Sequence, residues 1–134
     1  NFSGTVLFTY QLCDLAGACV QATVTILVTS QSPVANIDNF NIDEDKTLTA
    51  DVSTNDTDPD TPKNQLVFNL ADGGTATTNG VIALNTNGSL TYIPKANFNG
   101  VVNFTYKVCD PQNNCSATAI VNITVNPIND APIA

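Results

Sequence analysis

The sequence of 134 residues carries twelve acidic side chains against four basic ones, and it contains no His, Met or Trp. A formal net charge of −8 argues against binding to nucleic acid or to an anionic membrane surface. The lack of His removes the commonest general acid or base, and no nucleophile-elbow, P-loop or zinc motif is present, so we predict no enzymatic activity. Abundant Thr, Val, Ile and Asn predict an all-β protein, and no apolar run is long enough to cross a membrane.

The opening segment of the chain is repeated near its end. Residues 1–14 read NFSGTVLFTYQLCD, and residues 97–110 read NFNGVVNFTYKVCD. Ten of the first nineteen residues are identical to the residue 96 positions later: Asn1, Phe2, Gly4, Val6, Phe8, Thr9, Tyr10, Cys13, Asp14 and Cys19. A self-match at this spacing indicates tandem repetition of a domain-sized unit. We therefore predict that residues 1–34 are the C-terminal hairpin and linker of a preceding repeat, and that residues 35–134 are a complete repeat with its outgoing linker.

Alternation of apolar and polar residues predicts β-strands in both units. In the first unit, the residues with inward phase are Val6, Phe8, Tyr10, Leu12, Ala22, Val24, Ile26 and Val28. In the complete repeat, we predict about seven strands, at residues 36–42, 47–52, 65–70, 80–84, 89–93, 101–109 and 115–126. Short strands with frequent turns predict an antiparallel Greek-key β-sandwich. The aromatic residues predicted to lie in its core are Phe40, Phe68, Tyr92, Phe98, Phe104 and Tyr106.

Strands that run alternately up and down would sort the connecting loops onto two ends of the domain. The first pole would hold the incoming linker (residues 29–33), loop 53–64, turn 85–88 and tip 110–114. The second pole would hold turn 43–46, loop 71–79, loop 94–100 and the outgoing linker (residues 127–134).

The four cysteines form two C-x5-C pairs, Cys13/Cys19 and Cys109/Cys115, at the same place in both copies. Two strands joined by a short turn would bring each pair together across a hairpin, which favours two local disulfides over free thiols. A zinc site is disfavoured because the sequence has no His and no C-x2-C pair. The acidic composition suits a solvated extracellular surface, and an extracellular context would in turn favour disulfides.

Three strings in the complete repeat carry a family resemblance: STNDTDPDTP, TNGSLTYIPKANFNGVVNFTYKVCD and INDAPIA. With these motifs in this order, the sequence resembles the cadherin-like, bacterial Ig-like repeats of giant surface adhesins. Its Asn- and Thr-rich composition and C-x5-C hairpins are also similar to very large adhesins of gliding Bacteroidetes. The resemblance implies a secreted bacterial protein of the cell surface, with neighbouring repeats of the same chain as partners.

The resemblance also implies calcium between successive domains. Hard cations take six to eight oxygen ligands, and the acidic loop offers alternate carboxylates without the pattern of an EF-hand. At the first pole, the family's ligands correspond to Asp56, Asp58 and Asp110, with Asp60 as a weaker candidate. At the second pole, they correspond to Glu44, Asn129 and Asp130. Asp, Asn and Pro also form ordinary solvated turns, and this alternative stays open.

Two departures from the family pattern indicate weaker calcium sites. Four residues separate Val28 from Pro33, whereas six separate Val125 from Pro132, and the shorter incoming linker has no acidic residue. Near the fifth strand, where cadherins place further acids, this chain has Pro94 followed by lysine.

The leading functional hypothesis is a stiff spacer repeat of a cell-surface adhesin, braced by hairpin disulfides and by calcium, which supports adhesion or gliding motility. The alternative is a direct binding module for a glycan or a protein. Direct binding would require an exposed aromatic or apolar patch. In the sequence, the apolar residues with outward phase are Leu7, Leu27 and Ile120.

Overall fold

The computed structural model describes residues 2–72, 76–77 and 79–129. These residues form ten strands and two short 3-10 turns, and among them no helix is long and apolar enough to span a membrane. The strands are β1 (Gly4–Cys13), β2 (Cys19–Val28), β3 (Asp38–Asp43), β4 (Leu48–Asp51), β5 (Val67–Leu70), β6 (Ala76–Thr77), β7 (Gly80–Leu84), β8 (Ser89–Pro94), β9 (Gly100–Cys109) and β10 (Ala119–Asn126). The 3-10 turns, Val52–Asn55 and Lys63–Gln65, lie at the two ends of the predicted acidic loop 53–64, and each extends one residue beyond it.

The complete repeat is a sandwich of two four-stranded sheets, which confirms the predicted all-β class. One sheet has the order β3-β10-β9-β5, and the other has the order β4-β8-β7-β6. Strand β3 pairs with β10 in parallel, whereas the other pairs in these two sheets are antiparallel. The chain enters at the first pole and leaves at the second, so its first and last strands run in the same direction.

Most strand ends agree with the prediction or differ from it by one or two residues, and two places differ more. The predicted loop 71–79 contains the two-residue strand β6, which pairs with the start of β7. The last strand begins at Ala119, because Cys115 forms only an isolated bridge with Cys109. Between this bridge and the pair Tyr106–Ala119, the segment that leads into β10 contains one more residue than the facing segment of β9. The extra residue shifts the register and makes a β-bulge.

The core lies between the two sheets and contains the predicted aromatic residues. Tyr92 and Tyr106 are fully buried, and Phe68 packs at a ring-centroid distance of 6.2 Å from Tyr106. The other large, fully buried apolar side chains are Val52, Ile82, Leu90, Val108, Val121, Ile123 and Val125. Phe40 and Phe98 pack against this cluster from its edge. Alternation along the strands therefore predicted the inward face correctly.

The first unit is an antiparallel hairpin in which β1 pairs with β2 over its whole length. Within the described residues it forms a two-stranded sheet of its own. Cys13 is disulfide-bonded to Cys19, and Cys109 to Cys115, each pair with its Cα atoms 4.0 Å apart. The predicted local disulfides are thus confirmed.

Candidate functional site

The incoming linker and the acidic loop meet at the first pole of the sandwich. A backbone bridge joins Val34 to Thr57, with N–H to carbonyl distances of 2.8 and 3.1 Å. On the same side, the Val52 amide donates to the carbonyl of Gly88 in the turn between β7 and β8. These contacts place the loops at one end as the strand directions predict.

Asp110 at the tip of the β9–β10 hairpin is buried and accepts several hydrogen bonds. Its Oδ1 accepts from the backbone amides of Gln112 and Asn114, both at 2.8 Å. Its Oδ2 accepts from the Asn114 side chain at 2.8 Å and from the Ser30 hydroxyl of the incoming linker at 2.9 Å. Burial alone would raise the pKa of Asp110, but these hydrogen bonds outweigh burial and lower the pKa. The tip therefore presents a stable carboxylate to the linker.

Asp58 and Asp60 stand beside this tip in the acidic loop. The Asp58 Oδ1 accepts from the amides of Asp60 and Thr61, at 2.9 and 2.8 Å, while its Oδ2 is buried without a hydrogen-bond partner among the described residues. The Asp60 Oδ2 accepts from the Gln31 amide at 2.9 Å, and this bond is the main cause of the lowered pKa of Asp60. The nearby charge of Asp110 acts in the opposite direction. Asp60, the weaker candidate by sequence, thus bonds directly to the incoming linker.

Asp56 points into the domain. It is 1% exposed, and its Oδ1 accepts from the Asn36 amide at 2.8 Å. Its Oδ2 accepts from the Tyr106 hydroxyl at 2.8 Å. Burial raises the pKa of Asp56. Because both oxygens bond to groups of the domain, Asp56 holds the start of the repeat against β9, whereas Asp58 keeps an oxygen available.

Asp38 is a buried acid that the sequence reasoning missed. Its Oδ2 lies 3.0 Å from the Tyr106 hydroxyl, and its Oδ1 accepts from the Asn55 side chain at 3.1 Å. Burial, together with the nearby charge of Asp56, raises the pKa of Asp38 to about 6, although the hydrogen bonds from Tyr106 and Asn55 act in the opposite direction. The Tyr106 hydroxyl therefore lies within hydrogen-bond distance of two carboxylates, and its single hydrogen can serve only one of them at a time. The alternating pattern of β3 could have identified Asp38 as an inward-facing residue, because it lies on the same face of the strand as Phe40.

Glu44 occupies the second pole, where the sequence predicted it. It is 5% exposed, and its Oε1 accepts from the backbone amide of Ile128 in the outgoing linker at 2.5 Å. Its amide donates to the Asn126 carbonyl at 2.8 Å. Asn129 is exposed, and Asp130, its predicted partner in a second calcium site, lies outside the described residues.

Metal binding by these acids stays a prediction. Across the described ranges, no group of three or more acidic or Cys side chains is arranged to hold a metal ion. The free Oδ2 of Asp58 is nevertheless the kind of buried oxygen that a hard cation would satisfy.

The family comparison covers most of the chain. The profile of the bacterial cadherin-like domain matches residues 30–127, which include most of the incoming linker and the eight described strands of the sandwich. This match confirms the cadherin-like resemblance of the complete repeat. No curated protein matches the sequence.

Solved structures with a similar fold come from several protein classes. An endo-fucoidan hydrolase of glycoside hydrolase family 107 matches with a TM-score of 0.51 at 17% identity, over 95% of this chain and 19% of that one. The human desmocollin-1 ectodomain matches with a TM-score of 0.47 at 19% identity, over 94% of this chain and 28% of that one. This chain therefore spans about a fifth of the length of the hydrolase. At such identity the hydrolase supports the fold and nothing of its chemistry.

Proposed function

This chain belongs to the family of bacterial cadherin-like domains, and from that premise we propose that it is a stiff spacer module of a large, exported adhesin on a bacterial cell surface. Cadherin-like domains are adhesive or structural modules, usually extracellular and generally non-catalytic. As a spacer, the module would hold a distal binding region away from the cell during attachment or gliding.

The observation that carries this proposal is the attachment of both linkers to the poles of the sandwich. At the first pole, Ser30 and Gln31 bond to the carboxylates of Asp110 and Asp60. At the second pole, the outgoing linker bonds through Ile128. Because each linker is bonded where it meets the domain, the neighbouring repeat has less freedom to pivot, which supports a stiff array over a flexible tether.

We also propose calcium at the first pole, with Asp58, Asp60 and Asp110 as ligands that would have to move closer together on binding, because no three acidic side chains of the described residues are arranged around one ion. Three observations support it: the buried free oxygen of Asp58, the mutual repulsion of Asp60 and Asp110, and the contact of the latter two with the linker. A bound cation would offset the like charges and tie the linker more firmly to the pole. Glu44 at the second pole would belong to a corresponding site with Asp130.

Thermal unfolding in calcium and in EDTA, under non-reducing conditions, tests the calcium proposal. Calcium at about 100 times its dissociation constant should raise the midpoint by roughly 10 °C, because a ligand of the folded state stabilises it. Asp58→Asn should abolish this rise while leaving the midpoint in EDTA nearly unchanged. The matched control is Asp14→Asn, which alters the corresponding tip of the first hairpin and should keep the full calcium response.

No midpoint shift in the unmodified protein would rule out calcium at this pole. The spacer proposal would then rest on disulfides and hydrogen-bonded linkers alone. A shift that survives Asp58→Asn but disappears with Glu44→Gln would move the site to the second pole.

A further inference from the structure

The turn between β7 and β8 contains an asparagine followed by a glycine, whose backbone nitrogen is the least hindered of any residue with a side-chain amide before it. Asn87 is exposed, and Gly88 has a φ angle of 92°. The Gly88 amide donates to the Asn85 carbonyl at 2.9 Å, and the Asn85 amide donates to the Ser89 carbonyl at 2.9 Å. These bonds close a tight turn in which the glycine takes the left-handed conformation. The Asn87–Gly88 peptide thus lies where water reaches it.

The side-chain oxygen of Asn87 accepts two hydrogen bonds from Ser89. The Ser89 amide donates to Asn87 Oδ1 at 3.0 Å, and the Ser89 hydroxyl donates to the same oxygen at 2.8 Å. Because these bonds join residue 87 to residue 89, they fold the side chain back along the backbone of Gly88. The Ser89 hydroxyl in turn accepts from Asn85 Nδ2 at 2.8 Å, which strengthens its own donation. Two donors on a carbonyl oxygen stabilise the negative charge that develops there when a nucleophile adds to the carbon.

We propose that Asn87 is a site of intramolecular deamidation, with the Gly88 nitrogen as the nucleophile. The nitrogen loses its proton to hydroxide and attacks the side-chain carbonyl carbon of Asn87, and the new C–N bond closes a succinimide ring. The side-chain nitrogen takes a proton from water and leaves as ammonia. Water then adds to either carbonyl of the ring and opens it to an aspartyl or an isoaspartyl residue. This inference goes beyond the proposed function and does not depend on it.

Two further Asn-Gly pairs in the sequence provide an internal comparison. Their glycines, Gly80 and Gly100, are the first residues of β7 and β9. Attack at Asn79 or Asn99 would therefore require the first residue of a strand to leave its sheet, which costs a local opening. At Asn87, a single hydrogen bond within the turn has to open. The three pairs share the same chemistry, so a difference in their rates comes from the fold.

Deamidation at this turn would alter the first pole of the sandwich. The Val52 amide donates to the Gly88 carbonyl at 3.0 Å, and a Cβ atom at Gly88 would lie 2.7 Å from the Ser53 Cβ and 3.1 Å from Asp51 Oδ1. An isoaspartyl residue at position 87 adds an extra main-chain atom before Gly88 and so displaces these close contacts. An aspartyl residue keeps the backbone but adds a negative charge to a pole that is already acidic. Either product weakens the attachment of the acidic loop to this turn.

The test incubates the folded full chain in mildly alkaline buffer and follows each Asn-Gly pair by protease digestion and mass spectrometry, with fragment ions assigning the change to a residue. We expect Asn87 to convert at least about tenfold faster than Asn79 or Asn99. In urea, where no strand holds the glycines, the three rates should become similar. Equal rates in the folded chain would overturn the proposal. A preference for Asn87 that persists in urea would also overturn it, because the fold would then not be the cause.

A matched pair of variants tests the hydrogen bonds to the side-chain oxygen. Ser89→Ala removes the hydroxyl donor and should slow deamidation of Asn87 about fivefold, because the backbone donor remains. Ser89→Thr keeps a hydroxyl at this position and should restore the rate to within about twofold. The rate at Asn99 should be unchanged in both variants, whereas a general loss of stability would raise it. Equal rates at Asn87 in the two variants would overturn the activation of its carbonyl by Ser89.

Discussion

The hairpins β1–β2 and β9–β10 have closely similar sequences and the same local structure, but they differ sharply in burial. Gly4 and Gly100 have φ angles of 140° and 134°, and each lies under the ring of the phenylalanine two residues before it. Tyr10 is 53% exposed, whereas Tyr106 is 0% exposed. The comparison shows that strand pairing, the turn and the disulfide follow from local sequence. Burial of the apolar face requires the other strands of the sandwich, β3–β8.

The two hairpin tips extend this agreement to individual hydrogen bonds. The Oδ1 of Asp14 accepts from the amides of Ala16 and Ala18 at 2.9 Å. The corresponding Oδ1 of Asp110 accepts from the amides two and four residues later at 2.8 Å. Among the contacts of the described residues, Asp110 is bonded to Ser30 of the incoming linker, whereas Asp14 is not. The same tip is therefore a simple turn in one copy and a linker contact in the other.

The copies also differ by the bulge in the complete repeat. The Ser116 amide donates to the Val108 carbonyl at 2.8 Å, and the Ser116 hydroxyl accepts from the Val108 amide at 3.1 Å. Both backbone groups of Val108 are thus satisfied at the irregularity. The first hairpin keeps an unbroken register from Gly4–Val28 to Cys13–Cys19.

Truncating the same phenylalanine in each hairpin should give the largest contrast. Phe104→Ala should lower the free energy of unfolding of the sandwich by about 3–5 kcal/mol, because it removes a buried ring and leaves a cavity. Phe8→Ala should change it by less than about 0.5 kcal/mol, since that ring is exposed. Urea unfolding of the full chain measures both, and equal losses would contradict the burial difference.

The carboxylates around Tyr106 should give the next largest effect, which is a change in how the free energy of unfolding depends on pH. The folded-state pKa of Asp38, raised from 3.8 to about 6, means that the folded protein binds more protons than the unfolded chain between these values. Stability from this group is therefore present at low pH and falls as pH rises through about 6, by up to about 3 kcal/mol.

The substitution Asp38→Asn should remove this part of the pH dependence between pH 4 and 7. Urea unfolding in EDTA measures it without a contribution from metal binding. The control is Tyr10→Phe, which alters the corresponding tyrosine of the first hairpin and should leave the profile of the sandwich unchanged. An identical pH profile for Asp38→Asn and the unmodified protein would contradict a raised pKa.

Removing each disulfide separately should give the smallest difference in sandwich stability between the two hairpins. Replacing Cys109 and Cys115 by Ser should cost about 2 kcal/mol, the expected effect of closing so short a loop. Replacing Cys13 and Cys19 by Ser should leave the unfolding of the sandwich unchanged, although it should loosen the β1–β2 hairpin. Hydrogen exchange resolves the two hairpins, and a loss of sandwich stability with the second pair would show that the units are coupled.

Most of the fold was predictable from the sequence because strand alternation, turns and cysteine spacing are local signals. The inward faces of β9 and β10 and both disulfides were predicted correctly. The sequence did not reveal that Asp56 points inward or that Asp38 pairs with it through Tyr106. Those arrangements depend on contacts between residues about 50 and 70 positions apart. The calcium role of the pole acids stays a prediction for the same reason, since a ligand shell is assembled from several loops.

The parallel pairing of β3 with β10 has a consequence for the module under load. Six residue pairs, from Asp38–Val121 to Asp43–Asn126, join the first and last strands of the repeat. A force applied through the two linkers pulls these strands in opposite directions along their length. Their hydrogen bonds are then loaded in shear and must yield together, whereas a hairpin pulled from its open end yields one pair at a time. Forced extension should therefore show one abrupt rupture for each repeat.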